Sequence, residues 1–143
     1  SQLIGYKGTA PNPDQLEILR ETISKEPLAG MVRENDSRWR DALTWIVYAT
    51  IQAEEFGITR KTLDQFLKSD APEIRRFLGL EGTLGKDLGL PQDFVQRILR
   101  AVGNYGEIYD RYFGPKSPFH IPRLGTLNAL QRQGGLMYSP PFR

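Results

Sequence analysis

The stretch SRWRDALTWIVYATIQAEEFG, residues 37–57, decides how the chain folds. Its apolar and small residues recur at the 3, 4, 7, 8 spacing of one helical face. They are Trp39, Ala42, Leu43, Ile46, Val47, Thr50 and Ala53. Asp36 stands at the N-cap position, and Gly57 follows the last periodic residue. The spacing therefore predicts an amphipathic helix over about residues 37–56, and other parts of the chain must cover its apolar face.

Two shorter helical patterns follow this stretch. TRKTLDQFLK pairs Leu63 with apolar residues three and four positions later. In DAPEIRRFLG, Asp70 precedes Glu73 by three residues, and this spacing predicts a capping box with Pro72 in the first turn. Gly79 is expected to end the second helix.

The rest of the chain, residues 80–143, mixes loops with further helices. LEGTLGKDLGL, residues 80–90, is rich in glycine and predicts a surface loop. LPQDFVQRILRAVGNYG has apolar residues at helical spacing, and YGEIYDRYFG predicts one more short helix. Beyond Pro115 we expect loop, with one helical turn around LNALQRQ.

The first 38 residues differ from the rest of the chain in composition and in the spacing of their apolar residues. Small polar residues and turn formers (GYKGTAPNPDQ) precede ILRETISKEPLAGMVR, where short apolar groups alternate with charges. This pattern predicts one or two short strands, with Pro27 at an edge or a boundary. The whole sequence therefore predicts a helix-rich α+β fold with a small extended segment in front.

Composition excludes several classes of protein. The chain has 143 residues, 39% of them hydrophobic and 25% charged, as in one ordinary globular domain. Its 19 Lys and Arg against 17 Asp and Glu give a net charge of +2. This charge is too small to indicate a nucleic-acid-binding surface. No apolar run approaches a membrane span, and no secretory leader pattern opens the sequence. Without cysteine there is no disulfide, which suits an oxidising compartment without establishing one.

No catalytic or metal centre can be assembled from the sequence. GLEGTLGKD resembles a phosphate-binding loop, but it has one residue too many between Gly79 and Gly85, and an acid, Asp87, replaces the hydroxyl residue. His120 is the single histidine, and we expect it half-buried in a loop. Glu54 and Glu55 are adjacent, so they diverge around a helix rather than forming an acid–base pair. We interpret them as a solvated helix end, although the unfavourable helix dipole there hints at a partner for one of them. The chain is therefore not expected to be an enzyme, and no cofactor is implied.

Four stretches carry a resemblance to a known family. They are ISKEPLAGMVREND (23–36), WIVYATIQAEEFGIT (45–59), VGNYGEIYDRYFG (102–114) and IPRLGTLNALQRQGGLMYSPPFR (121–143). In this order they resemble the substrate-binding protein of bacterial general L-amino-acid uptake systems of the ABC type, a periplasmic solute-binding protein of family 3. The resemblance covers the chain from about residue 1 to residue 143.

The resemblance implies a C-terminal fragment of a two-lobe α/β periplasmic binding protein. Residues 1–32 would be the remnant of lobe two with the hinge strand, and residues 33–143 the C-terminal helices and tail of lobe one. In the intact protein an L-amino acid is captured between the lobes by hinge closure and delivered to a membrane permease. The arginine and the aspartate that hold the substrate's two charged groups would lie in the part that this chain lacks.

Further expectations follow from this resemblance. Lys25 and Glu26 would lie where the hinge strand approaches the cleft and would touch ligand or hold the hinge, with a purely structural strand as the equal alternative. The fragment alone is expected to bind no ligand, and its uncovered strand edges favour a homo-oligomer or a domain swap. The alternative that the residues leave open is a cytosolic helical protein-interaction module, which would dock through the long helix or the Pro-rich tail.

The last ten residues, GGLMYSPPFR, form an unusually apolar terminus. We expect them to lie back against the fold as a structural clasp rather than to serve as a partner-binding peptide. Leu136, Met137 and Tyr138 would bury apolar surface, while Pro140 and Pro141 hold the end extended without needing hydrogen-bond partners.

Overall fold

The computed structural model describes residues 2–19, 21, 23, 24 and 27–142. The chain divides into two compact units, Ser1–Met31 and Val32–Arg143. The first contains helix α1 (Gln2–Thr9) and a 3-10 turn at Pro13–Gln15. At the end of α1 the Thr9 hydroxyl donates to the backbone carbonyl of Tyr6 at 3.1 Å.

The strands predicted for the N-terminal segment are absent from the described residues. After the 3-10 turn the described part of this unit has no regular secondary structure. A strand is stable only beside a second strand that accepts its backbone hydrogen bonds, and none of the described residues offers one. The apolar side chains of this segment are correspondingly exposed: Leu16, Ile18, Leu19, Ile23, Leu28 and Met31. The prediction of a helix-rich chain is confirmed, and the β part of the predicted α+β fold is wrong for the described residues.

The second unit is built from helices joined by short loops. They are α2 (Ser37–Glu55), α3 (Leu63–Phe66), α4 (Pro72–Phe77), α5 (Leu84–Asp87), α6 (Phe94–Val102) and α7 (Tyr105–Tyr112), followed by a 3-10 turn at Gln131–Gln133. Within the described ranges, no helix has both the length and the apolar character needed to cross a bilayer.

Helix α2 begins and ends as its sequence predicts. The Asp36 carboxylate accepts a hydrogen bond from the Trp39 amide at 3.1 Å, which satisfies one free donor of the first turn. Gly57 adopts the left-handed region with φ of 73°, and the Ile58 amide donates back to the Ala53 carbonyl at 2.8 Å. This C-terminal motif turns the chain sharply, so that Ile58 is fully buried.

Two local predictions around α4 and α5 are wrong. The capping box of Asp70 and Glu73 does not form, because Pro72 forces the preceding residue to be extended and Ala71 becomes the N-cap. Residues 80–90 are not simply a loop, since they contain the short helix α5. Gly85 in this helix is buried where a Cβ atom would come within 2.5 Å of the Pro91 carbonyl, so the glycine allows two backbone segments to touch.

The hydrophobic core lies between α2, the loop after it and helices α3, α4 and α6. Its buried members are Ala49, Ala53, Ile58, Leu63, Phe77, Leu78, Phe94, Val95, Leu99 and Phe142. The small residues of α2 allow close approach, and the phenylalanines fill the space with edge-to-face contacts such as Phe56 on Phe77 at 5.4 Å between ring centroids.

The C-terminal tail folds back on the body, but through a different residue from those predicted. Phe142 is only 5% exposed and packs edge-on against Trp45 and Phe77. Leu136 and Tyr138 are 63% and 56% exposed, so their predicted burial is wrong. Backbone hydrogen bonds orient this segment, since the Leu136 amide donates to Leu127 and the Met137 amide donates to Ala129. The backbone position of Leu136 is thus fixed by pairing with a loop rather than by burial of its side chain.

Candidate functional site

The two residues that the sequence analysis assigned to the ligand cleft or hinge, Lys25 and Glu26, lie outside the described residues. Their described neighbours Ile23 and Leu28 are 97% and 84% exposed.

A cleft of ≈ 470 Å³ opens at the start of α2. It is lined by Val32, Arg33, Glu34, Asn35, Asp36, Ser37 and Arg40. These residues offer both signs of charge, but they belong to one short stretch of chain. A closed and water-free site requires walls from opposing elements, so this cleft is an open groove beside the helix rather than an enclosed site.

A part-buried ion pair joins the end of α2 to the loop that contains Arg123. Nη1 of Arg123 lies 2.5 Å from Oε1 of Glu54, across 69 residues of sequence, with side-chain exposures of 10% and 17%. The prediction that Glu54 is part of a solvated helix end is wrong, because this arginine desolvates and pairs it. The unfavourable position of an acid near the helix C-terminus is compensated by the guanidinium.

Further groups complete an enclosure around this guanidinium, which we call the Arg123 cage: Glu54, Tyr105, Gly106, Tyr109 and the Asn128 carbonyl. The Tyr105 and Tyr109 rings lie 5.0 and 5.8 Å from the guanidinium carbon, within the range of cation–π attraction. Nε of Arg123 donates to the Asn128 carbonyl at 2.5 Å. Within the cage, the Arg123 guanidinium therefore contacts a carboxylate, two aromatic rings and a backbone carbonyl.

Gly106 has no side chain and so leaves space for the Glu54–Arg123 ion pair. A Cβ atom at this position would lie 3.1 Å from Nη1 of Arg123 and 3.1 Å from Cδ of Glu54. Glycine is therefore favoured by close approach here, and not by an unusual backbone conformation, because an added Cβ would press on the two charged side chains. In the VGNYGEI stretch, Tyr105 thus supplies one aromatic ring to the Arg123 cage, and Gly106 leaves the space that the ion pair occupies.

Burial at the cage shifts the pKa values of its two tyrosines. Desolvation raises the pKa of Tyr105 and of Tyr109, and the nearby Arg123 charge opposes both shifts. Oε2 of Glu54 and Nη2 of Arg123 are buried without a hydrogen-bond partner among the described residues. Next along α2, burial raises the pKa of Glu55, while Arg132 pulls it down.

A second polar centre lies at the start of α7. Oδ1 of Asn104 accepts from the Glu107 amide at 2.9 Å, and the Glu107 carboxylate accepts from the Asn104 amide at 3.0 Å. These bonds form a capping box. The Asn104 side chain also donates to the Ile58 carbonyl at 2.9 Å, and Glu107 accepts from the Arg60 amide at 2.9 Å. This centre was not predicted, although the three-residue spacing of Asn104 and Glu107 was the available signal.

The single histidine is not part of a metal site in the described ranges. His120 is exposed in a loop, with its ring nitrogen Nδ1 2.7 Å from the Pro115 carbonyl, so the prediction that it is half-buried is wrong. Among the residues that the structure describes, no three His, Cys, Asp or Glu side chains converge as metal ligands. What the described chain does contain is structural: a packed core, a capping centre and the Arg123 cage.

The sequence of this chain is similar to those of several bacterial binding proteins. The chain is 48% identical over its whole length to the "General L-amino acid-binding periplasmic protein AapJ" of Rhizobium johnstonii. It is 47% identical to the "Glutamate/glutamine/aspartate/asparagine-binding protein BztA" of Rhodobacter capsulatus and 40% identical to the "Putative amino-acid ABC transporter-binding protein YhdW" of Escherichia coli K12. These relatives are binding proteins rather than enzymes, which confirms the prediction that the chain is not an enzyme. No protein-family model matches the chain.

The fold is similar to that of one solved relative. A periplasmic binding protein of an ABC transporter from Brucella ovis, described with glutathione bound, superposes with a TM-score of 0.88 over 99% of this chain, at 46% identity. This chain covers 44% of that structure and 42% of each of the three relatives named above. The similarity therefore extends over all of this chain and over less than half of the proteins it resembles.

Proposed function

We propose that this chain, which is homologous over its whole length to the binding proteins of amino-acid ABC transporters, is the C-terminal part of a periplasmic protein that captures L-amino acids. The membrane permease of the same transporter would be its partner. Residues 1–32 would come from the second lobe and its hinge, and residues 33–143 would close the first lobe. Lys25 and Glu26 would then lie at the hinge.

One observation carries this proposal. Identity of 40–48% extends over 100% of the chain, and the same residues superpose on a solved binding protein with a TM-score of 0.88. A chance resemblance confined to one motif or one helix would not extend through the α2 helix, the capping centre and the tail together. The shared sequence supports a shared role for the protein from which this chain comes.

The chain corresponds to only 42% of the length of its relatives, so it offers only part of what an amino-acid site needs. A zwitterionic amino acid needs a cation for its carboxylate and an acceptor for its ammonium group, held in an enclosed site. The ≈ 470 Å³ groove beside α2 is open to solvent, and the charges of the Arg123 cage are already engaged with each other. We therefore expect the 143-residue chain to bind amino acids very weakly or not at all.

Calorimetric titration tests both parts of this proposal. The 143-residue chain is titrated with a panel of L-amino acids and with glutathione, beside a chimera that carries the preceding part of Rhizobium johnstonii AapJ fused ahead of it. We expect heat of binding for the chimera and none for the chain alone. Submillimolar affinity of the chain alone would refute the need for a further part. A chimera that folds, as shown by circular dichroism, yet binds no amino acid in the panel would contradict the transport role.

A further inference from the structure

Arg123 enters the cage from a loop, whereas most of its contacts belong to distant elements. The carboxylate of Glu54 comes from the end of α2, and both tyrosine rings come from α7. Only the Asn128 carbonyl belongs to the same loop as the arginine. The relation between the loop and the helices therefore resembles that between a ligand and its receptor within one chain.

The groups supplied by α2 and α7 suit one class of ligand. A carboxylate accepts hydrogen bonds from a guanidinium, and two tyrosine faces attract a planar cation. Gly106 leaves open the space in which Nη1 lies, 3.1 Å from the position its Cβ would occupy. The Glu54 side chain is only 17% exposed, and a carboxylate so far removed from water is unfavourable without a cation, so this site favours a cationic occupant.

We propose that Glu54, Tyr105, Gly106 and Tyr109 form a guanidinium-binding site that the chain fills with its own Arg123. When the arginine side chain is removed, the site accepts a free alkylguanidinium ion from solution. Occupation of the site orders the segment that follows, residues 124–138, in which Ala129 and Leu130 are buried while most other side chains are exposed. Leu124 is 72% exposed, and Leu136 and Tyr138 are also mostly exposed. This proposal is independent of the transport role.

Chemical rescue tests the proposal directly. Arg123→Ala removes the equivalent of an N-ethylguanidinium ion from the cage. Hydrogen exchange of residues 124–138 is measured in the 143-residue chain with and without this substitution. We expect the substitution to reduce protection roughly tenfold or more, because it removes charge-assisted hydrogen bonds from a part-buried pair. Low millimolar N-ethylguanidinium is expected to restore protection with saturation, whereas N-ethylurea, which is neutral and of similar shape, is not.

Matched variants separate the site from a general effect on folding. Arg123→Ala combined with Glu54→Gln keeps the shape of the cage without its charge and is expected to lose the rescue. Arg100→Ala removes an exposed partner of Asp64, and the same titration is expected to leave its exchange unchanged. If Arg123→Ala unfolds the chain, N-ethylguanidinium must restore its circular dichroism spectrum. Unchanged protection in Arg123→Ala, rescue by N-ethylurea, or rescue in the double variant would each overturn the proposal.

Discussion

The ring of Phe142 lies edge-on to the indole of Trp45, with 4.9 Å between their centroids, and so joins the end of the described chain to helix α2. Phe142 also contacts Phe77 at 5.0 Å between ring centroids. A terminal segment with such a contact belongs to the core and not to the frayed end that termini usually form.

Phe142→Ala is expected to destabilise the second unit by about 3 kcal/mol, because it removes a buried aromatic side chain and leaves a cavity beside two other rings. Urea denaturation followed by tryptophan fluorescence measures the change. Tyr138→Ala is the matched control, since Tyr138 is mostly exposed and its loss should cost less than about 0.5 kcal/mol. Equal losses for the two variants would show that the tail contributes as a whole and not through Phe142.

Asn104→Ala is expected to cost about 2–3 kcal/mol, because it removes the N-cap of α7 and leaves the buried Ile58 carbonyl without its donor. Thermal unfolding is the measurement. Asp93→Ala serves as the control, since Asp93 occupies the N-cap position of α6 without making a capping hydrogen bond, and its exposed pair with Arg97 contributes little. A large loss for the control and a small one for Asn104→Ala would contradict this account.

Gly106→Ala and Gly5→Ala are expected to act in opposite directions. The first places a methyl group against the Arg123 cage, and we expect a loss of about 1–2 kcal/mol despite the better helix propensity of alanine. The second lies in α1 with nothing within 4 Å of the added Cβ, so helix α1 should gain about 0.5–1 kcal/mol. Thermal unfolding and exchange of residues 2–9 measure the two effects. A stabilising Gly106→Ala would show that the cage can expand at no cost.

Glu55→Gln is expected to raise stability at pH 7 and to flatten its dependence on acid pH. Burial raises the pKa of Glu55 in the folded chain above its unfolded value. The folded state therefore holds this proton more tightly, so the favourable contribution of Glu55 is present below the unfolded pKa and is lost as pH rises through the folded pKa. Unfolding temperatures measured from pH 4 to pH 8 test this. A variant curve parallel to that of the original chain would contradict it.

Self-association is expected of the 143-residue chain at high concentration. Ile23, Leu28 and Met31 are 97%, 84% and 96% exposed, and apolar surface of this kind favours contact between copies. Light scattering over a concentration series should show a rising mean mass, and Ile23→Asp combined with Met31→Lys should reduce it. A constant monomer mass up to high concentration would count against this expectation.

Local signals in the sequence predicted the parts of the fold that depend on neighbouring residues. The period of α2, its Asp36 cap and the turn at Gly57 could all be read from a single stretch, because their hydrogen bonds close within a few residues. The Asp70 capping box was predicted wrongly because the restriction imposed by Pro72 on the residue before it prevailed. The strands predicted near the N-terminus are absent from its described residues, because a strand depends on a partner that no local pattern reveals.

The long-range contacts of the polar centres could not be predicted, because they join residues far apart in sequence, whereas the Asn104–Glu107 capping box was a local signal. The Glu54–Arg123 pair spans 69 residues and the Asn104–Ile58 bond spans 46. The unfavourable position of Glu54 on the helix dipole indicated that a partner was needed, but it could not identify Arg123. Likewise, Phe142 and Tyr138 are both aromatic residues of the same tail, and only the packed structure distinguishes the buried one from the exposed one.

The backbone pairing of Leu136 with Leu127 has a practical consequence, because Arg123 precedes this paired segment and Phe142 follows it. We expect a segment held at both ends by different chemistry, one charged and one aromatic, to rebind the body when it is supplied as a synthetic peptide. Such reconstitution would allow unnatural side chains or spectroscopic labels to be introduced at either anchor without touching the helices that receive them.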